Sequence, residues 1–231
     1  MDQKVPFTTF DFWAFLSAGF LVLAAIDHVN GGHLLALDKW TVVQATIAMA
    51  AAYIVGQLVA SLSAWLLEKM LVGKLLGAPR MTLFGTAKAW TWVRRCMPTY
   101  FEAMPPNAQA AILEKAQASD PTDGDALFWV AFAYARATPA VMDRLETFLN
   151  QYSFARNVVI AALLDAALLY WHYRWNDGDS MSLQLSRAAL LVGGGMLLRY
   201  LKYFRQYSLE LFTAFAFSKQ EPPATKAGTK P

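Results

Sequence analysis

The sequence predicts an all-α membrane protein. Four transmembrane helices are expected, with a mostly helical cytoplasmic domain inserted between the second and third. A long fourth helix is expected to extend into the cytoplasm. Three observations carry this. Trp40 to Leu67 is a run of 28 residues without a charge, whose only strongly polar side chains are Gln44 and Gln57. At about 1.5 Å of rise per residue it is long enough to cross a bilayer with some tilt. Of the 231 residues, 56% are hydrophobic and only 16% charged, against about 25% charged in soluble domains. Finally, the basic residues are distributed unevenly about the apolar segments, which gives a sidedness.

The second helix, about 40–67, is the strongest element, because no water-facing helix carries an apolar surface all round over that length. The first, about 7–28, contains the uncharged stretch Phe12 to Ile26 between Asp11 and Asp27. The third runs from Asn157 to Tyr173 between Arg156 and Arg174, with Asp165 inside it. The fourth contains the short stretch Ala188 to Leu198 between Arg187 and Arg199. Arginine stems reaching outward can lengthen such a span, or Arg187 is buried against another helix. With four crossings, 17 Lys and Arg fall on one side and 3 on the other. The positive-inside rule then places both termini and the long central segment in the cytoplasm. Lys4 is offset by Asp2, which argues against a cleaved signal peptide.

The expected units are 1–67, a transmembrane hairpin; 68–156, the cytoplasmic domain; 157–217, a hairpin with the extension of its last helix; and 218–231, a disordered tail. Within the cytoplasmic domain, Gly73, Gly77, Pro79, Pro98 and Pro105 predict short elements broken by turns. Asn107 is expected to cap a helix to Gln117, and Pro121, Asp123 and Gly124 to form a turn. Asp125 to Ala137 reads as a partly buried helix. Thr138 is expected to cap the next, which carries Pro139 at its first position and runs toward Tyr152.

Candidate functional residues come from charge in unusual company. Beyond the fourth span, Leu201, Phe204, Ser208, Leu211 and Phe215 recur at helical spacing, with Arg199, Lys202 and Arg205 on a neighbouring face among Tyr200, Tyr203 and Tyr207. Cations beside aromatic faces suit a polyanion such as single-stranded DNA or a nucleotide. The competing reading has the cations anchor the helix at lipid headgroups while the stripe packs on the central domain or another subunit. Arg94 and Arg95, near Trp90 and Trp92, form a second anion candidate with the same competitor. Asp165 belongs inside a bundle or against water, paired to Arg187 as a pore or gating element or serving structure alone. Gln57 and Gln44 glue helices or line a pore. Gly193, Gly194 and Gly195 allow close helix approach or act as a hinge. His28, His33 and His172, with Asp27 and Asp38, gather on the outer side without the spacing of a helical metal pair. The lone Cys96 rules out an internal disulfide. No phosphate loop, nucleophile elbow or metalloprotease signature occurs, so neither an enzyme nor a cofactor is expected.

Four stretches, "FTTFDFWAFLSAGF", "YIVGQLVASLSAWLLEKML", "YSFARNV" and "RYLKYFRQYSLELF", resemble small bacterial four-helix membrane proteins encoded in anti-phage defence operons. The Hailong-type membrane effector is the nearer resemblance and the Kiwa membrane subunit its rival. The resemblance implies a homo-oligomer, expected to be a tetramer, whose cytoplasmic domains receive a nucleic-acid signal and whose membrane part opens or damages the inner membrane. The alternatives are a non-channel scaffold that docks a co-encoded cytoplasmic protein, and a membrane-embedded lipid enzyme using the outer His and Asp residues.

Overall fold

The computed structural model describes residues 9–32, 40–87, 89–118, 124–176 and 179–218. All its regular elements are helices; no strand occurs among the described residues. Helix α1 is Thr9–Val29 and α2 is Val42–Ser63, which continues without a break as a π-helix, Ala64–Leu76. Short helices α3 (Pro79–Leu83) and α4 (Thr91–Cys96) and a 3₁₀ turn (Pro98–Phe101) follow, then α5 (Pro106–Ala116) and α6 (Gly124–Arg136). The chain ends in two 37-residue helices, α7 (Pro139–Trp175) and α8 (Ser180–Ala216).

Four of these helices, α1, α2 with its continuation, α7 and α8, are long and apolar enough to cross a membrane. Their limits differ from expectation where a charged residue does not stop the helix. The second helix was expected to end at Leu67. It runs on past Glu68 and Lys69 to Leu76, and the Gly77 N–H closes its last turn on the Val72 carbonyl at 2.8 Å, with Gly77 at φ +84°. The third was expected to begin at Asn157, after a separate helix ending near Tyr152. Both belong to α7, because no Gly or Pro interrupts 140–175. The fourth begins at Ser180, well before Ala188. Asp179 caps it: Oδ1 accepts from the Met181 N–H and Oδ2 from the Ser182 N–H, each at 3.1 Å.

Two expected caps are not formed. Helix α5 starts at Pro106 with no side-chain cap, and Asn107 accepts only from the adjoining Ala108 N–H. Proline at the first position already has a helical φ and no N–H to satisfy. Thr138 donates its hydroxyl back to the Tyr134 carbonyl at 3.3 Å, while its own carbonyl accepts from Val141 and Met142 to begin α7. The expected tail from Lys219 on, the turn residues Pro121 and Asp123, and His33, Asp38 and Lys39 lie outside the described residues.

The chain forms two compact units, 1–70 with 150–201, and 71–149 with 202–231. In the first, α1 and α2 cross with their backbones in contact. A methyl group on Gly19 would fall inside the Ala52 carbonyl, and one on Gly56 inside that of Phe15. Ala18 and Ala52 are fully buried at the same crossing. Small residues that let backbones meet are how helices associate where lipid supplies no hydrophobic drive. α7 is the most enclosed of the four helices. The second unit is built differently. Leu83, Ile112, Leu145, Leu211, Phe212 and Phe215 form a fully or almost fully buried core. Phe212 meets the rings of Phe84 and Phe128 edge-on, at 5.3 and 6.4 Å. The Leu211 and Phe215 part of the aromatic stripe therefore packs into this core, as one of the two sequence readings has it. Tyr100 is buried and donates to the Gly77 carbonyl at 2.8 Å. Burial raises its hydroxyl above the ordinary range, so it remains a donor.

Candidate functional site

The interior of the first unit holds a set of buried polar side chains. Ser63 and Asn157 are fully buried, and the Ser63 hydroxyl donates to Asn157 Oδ1 at 2.8 Å, joining α2 to α7. One residue earlier, Arg156 pairs with Glu68. The two charges that bound neighbouring apolar runs in the sequence thus neutralise each other between helices. Asp165 lies two turns further along α7 and is 7% exposed. Its Oδ1 has no hydrogen-bond partner among the described residues, nor has Asn157 Nδ2. The expected partner is not there: Arg187 is exposed. Its neighbour Ser186 faces α7, and its hydroxyl donates to the Ala166 carbonyl at 2.8 Å. Adjacent helical residues point about 100° apart, so seating Ser186 on α7 turns Arg187 away.

The glutamines serve their own helix. Gln57 donates to the Tyr53 hydroxyl at 3.1 Å. Gln44 forms a capping box with Thr41, accepting from the Thr41 N–H at 2.9 Å. Neither bond glues two helices together. Of the three successive glycines, only Gly193 is buried against another helix, with the Ala162 methyl 3.4 Å from an added Cβ; Gly194 and Gly195 face open space.

At one end of the same unit, His28, His172, Asp179 and Ser182 come together. His28 Nε2 is 3.0 Å from Ser182 Oγ and 3.8 Å from Asp179 Oδ2, and the rings of His28 and His172 are 6.2 Å apart. Serine and aspartate approach the same imidazole nitrogen, so this is no relay of nucleophile, base and orienting acid. The Ser182 hydroxyl and the Met181 N–H hold the Asp179 carboxyl below its ordinary range. Among the described residues no group of three His, Cys, Asp or Glu is placed to hold a metal ion. Sequence alone could not show that the loop beyond α7 returns Ser182 to His28.

The candidate anion-binding cations do not share one setting. Arg199 is exposed in the first unit and donates to Gln151 Oε1 at 3.0 Å. Lys202 is exposed and Tyr203 half-buried, both in the second unit. Arg205 donates to the Glu102 carbonyl at 2.8 Å, and its Nε is buried without a partner among the described residues. Arg94 donates to the Ala87 carbonyl at 3.1 Å and lies 5.6 Å over the Phe101 ring. Arg95 is exposed, as are Trp90 and Trp92, whose rings stand 6.3 Å apart. Cys96 is exposed.

The described fold, with its four long apolar helices, has the character of a multi-pass helical membrane protein. No family model, curated protein or solved structure matches the chain.

Proposed function

We propose that this protein is an oligomeric effector or sensor of the bacterial inner membrane, acting in anti-phage defence. A cytoplasmic oligonucleotide, nucleotide or protein partner biases the four-helix unit between two arrangements and so permeabilises the membrane. The observation that carries the reading is helix continuity. The α2 helix with its π continuation, α7 and α8 each contribute residues to both compact units without a break. A continuous helix bends sharply only at specific weak points such as Pro or an inserted π turn. A displacement of one part would therefore be passed along α7 and α8, whereas α2 meets the boundary inside its π stretch. Asp165 supports the membrane half of the proposal, since a carboxylate enclosed among apolar helices is expensive and marks ion or proton pathways. Exposed Arg95 and Lys202 supply charge suited to phosphates in the other unit. A ligand shifts such an equilibrium only through a difference in affinity for the two arrangements.

The test is ion efflux from liposomes holding the purified protein, with and without short single-stranded DNA. Mobility shift of the same DNA is measured in parallel. Ligand-dependent efflux that Asp165→Asn changes, with binding lost in an Arg199/Lys202/Arg205 triple alanine variant, supports the reading. Wild-type binding by the triple variant removes α8 from it. A non-channel scaffold that docks a cytoplasmic protein is the second reading, and one observation favours it. Arg94 and Arg205 already spend donors on internal carbonyls, as structural cations do. No efflux under any condition, with a stable protein partner recovered, decides for the scaffold.

A further inference from the structure

Between Glu68 and Glu102 the chain carries six cations, Lys69, Lys74, Arg80, Lys88, Arg94 and Arg95, and no acid. The structure gathers part of this stretch at the end of a long apolar helix. Gly77 closes the π continuation of α2, which belongs to one of the four helices long enough to cross a bilayer. Leu75 in its last turn is 48% exposed, so apolar surface lasts to the helix end. There the second unit fixes α4 in place. A Cβ added to Gly77 would fall 2.9 Å from the Ala87 methyl, and buried Tyr100 donates to the Gly77 carbonyl at 2.8 Å. Arg94 donates to the Ala87 carbonyl at 3.1 Å, and Val93 is buried. Trp90 follows Ala87 by three residues, at most about 11 Å of chain. Trp90 and Trp92 are therefore held close to the point where the helix ends. Their rings are 65% and 63% exposed, and Arg95 is exposed in the same short helix.

We infer that α4 docks on an anionic bilayer surface, with Trp90 and Trp92 in the headgroup layer and Arg95 and Lys74 against lipid phosphates. Tryptophan settles at headgroup depth, and a basic segment beside a crossing is drawn to anionic lipid. A stretch without an acid has nothing to repel that surface. Single-stranded nucleic acid is the rival occupant. A base held between two rings needs parallel faces, whereas those of Trp90 and Trp92 are inclined by 50° at 6.3 Å. Exposed Trp129 lies one turn from Asp125 and so lacks the acid-free setting. The inference rests on the reading that α2 crosses a membrane, and it needs neither a soluble ligand nor a pore. It assigns Arg95 to lipid rather than to a soluble phosphate.

The full chain in lipid nanodiscs tests it, with a fluorophore on the exposed Cys96 and a quencher on the lipid headgroup. Discs of phosphatidylglycerol mixed into phosphatidylcholine are compared with discs of phosphatidylcholine alone. Quenching is expected to be strong with phosphatidylglycerol and weak without it. Arg95→Gln should lower the ratio of docked to undocked chains about fivefold, and Arg95→Lys should retain most of it. The double variant Trp90→Ala/Trp92→Ala should lower it further, and Trp129→Ala should leave it unchanged. Each variant is compared at equal helical content, so a folding defect is not read as lost docking. A second reporter separates docking from the membrane reading. On a Cys96→Ala background, a fluorophore at Ile54→Cys should be quenched by acyl-chain quenchers in every disc. Quenching at position 54 without quenching at 96 overturns the docking alone, and quenching at neither overturns both. Equal quenching at 96 in the two lipid mixtures and in the double variant also overturns the inference. So does single-stranded DNA that displaces the lipid and loses its own binding in the double variant.

Discussion

The two compact units differ in what they bury and in what they leave exposed. In the first, small or polar residues, Ala18, Gly19, Ala52, Gly56, Ser63, Asn157 and Asp165, are buried beside larger apolar ones such as Leu16, Val159 and Ile160. Other large apolar residues, among them Val42, Ile54, Leu58, Leu191 and Leu198, are exposed. In the second, Leu83, Ile112, Phe212 and Phe215 are inside, and cations such as Arg95 and Lys202 are outside. The second pattern is what water imposes. The first, with exposed apolar residues on helices long enough to span a bilayer, is the pattern of helices in lipid, where close packing and buried hydrogen bonds hold them together.

Substitutions that exchange the rules of the two units test this most strongly. Phe212→Ala should destabilise the second unit by about 3–5 kcal/mol, since a fully buried ring leaves a cavity behind. Denaturation of the detergent-purified protein measures it, and a loss near zero would mean the core is not packed as described. Gly19→Leu should cost the first unit about 3 kcal/mol or more, because the clash is with backbone that has no freedom to yield. Thermal stability in detergent reads this, and a wild-type melting curve would remove the helix crossing from the account.

The exposed faces give the next largest contrast. Leu191 is 78% exposed in the first unit and Trp129 65% exposed in the second. Leu191→Arg should raise the cost of membrane insertion by about 3 kcal/mol, whereas Trp129→Arg should stay within about 0.5 kcal/mol. Membrane fractionation distinguishes them, and equal behaviour would erase the contrast. Ser63→Ala is smaller again, near 0.6 kcal/mol, since hydrogen bonds between membrane helices average that much.

The smallest effect is a pH dependence at the start of α8. The Asp179 carboxyl is held below its ordinary value of 3.8 in the folded protein. Its contribution is therefore present above that pH and lost as pH falls through the lower, folded value. Protection of the Met181 and Ser182 amides should fall below about pH 4 in the wild type and be absent at every pH in Asp179→Ala. Protection that ignores both changes would show that the cap does not hold the helix.

Helix type and number were legible in the sequence because apolar runs of that length leave few alternatives. Helix limits were not, for a definite reason. A charge in an apolar sequence suggests a boundary, yet Arg156 and Glu68 enter the first unit as a pair, and neither carries a signal of its partner. Arg187 is the expected partner of Asp165, in a gating or a structural pair, but the register of α8 turns Ser186 onto the Ala166 carbonyl of α7 and leaves Arg187 exposed. The close-packing glycines anticipated at 193–195 are less important than Gly19 and Gly56, isolated residues whose role depends on a crossing that no spacing reveals. The burial of Leu211 and Phe215 was visible as a 3-4 stripe, though not which core it would join.

The claim that the first unit faces lipid is met most directly by cysteine labelling in open membrane fragments. Cys96 is first replaced by alanine, and single cysteines are then placed at Ile54, Leu191 and Trp129, all well exposed. A water-soluble maleimide should label position 129 at once, and positions 54 and 191 only after detergent dissolves the bilayer. Labelling of 54 and 191 as fast as 129 before detergent is added would contradict the account.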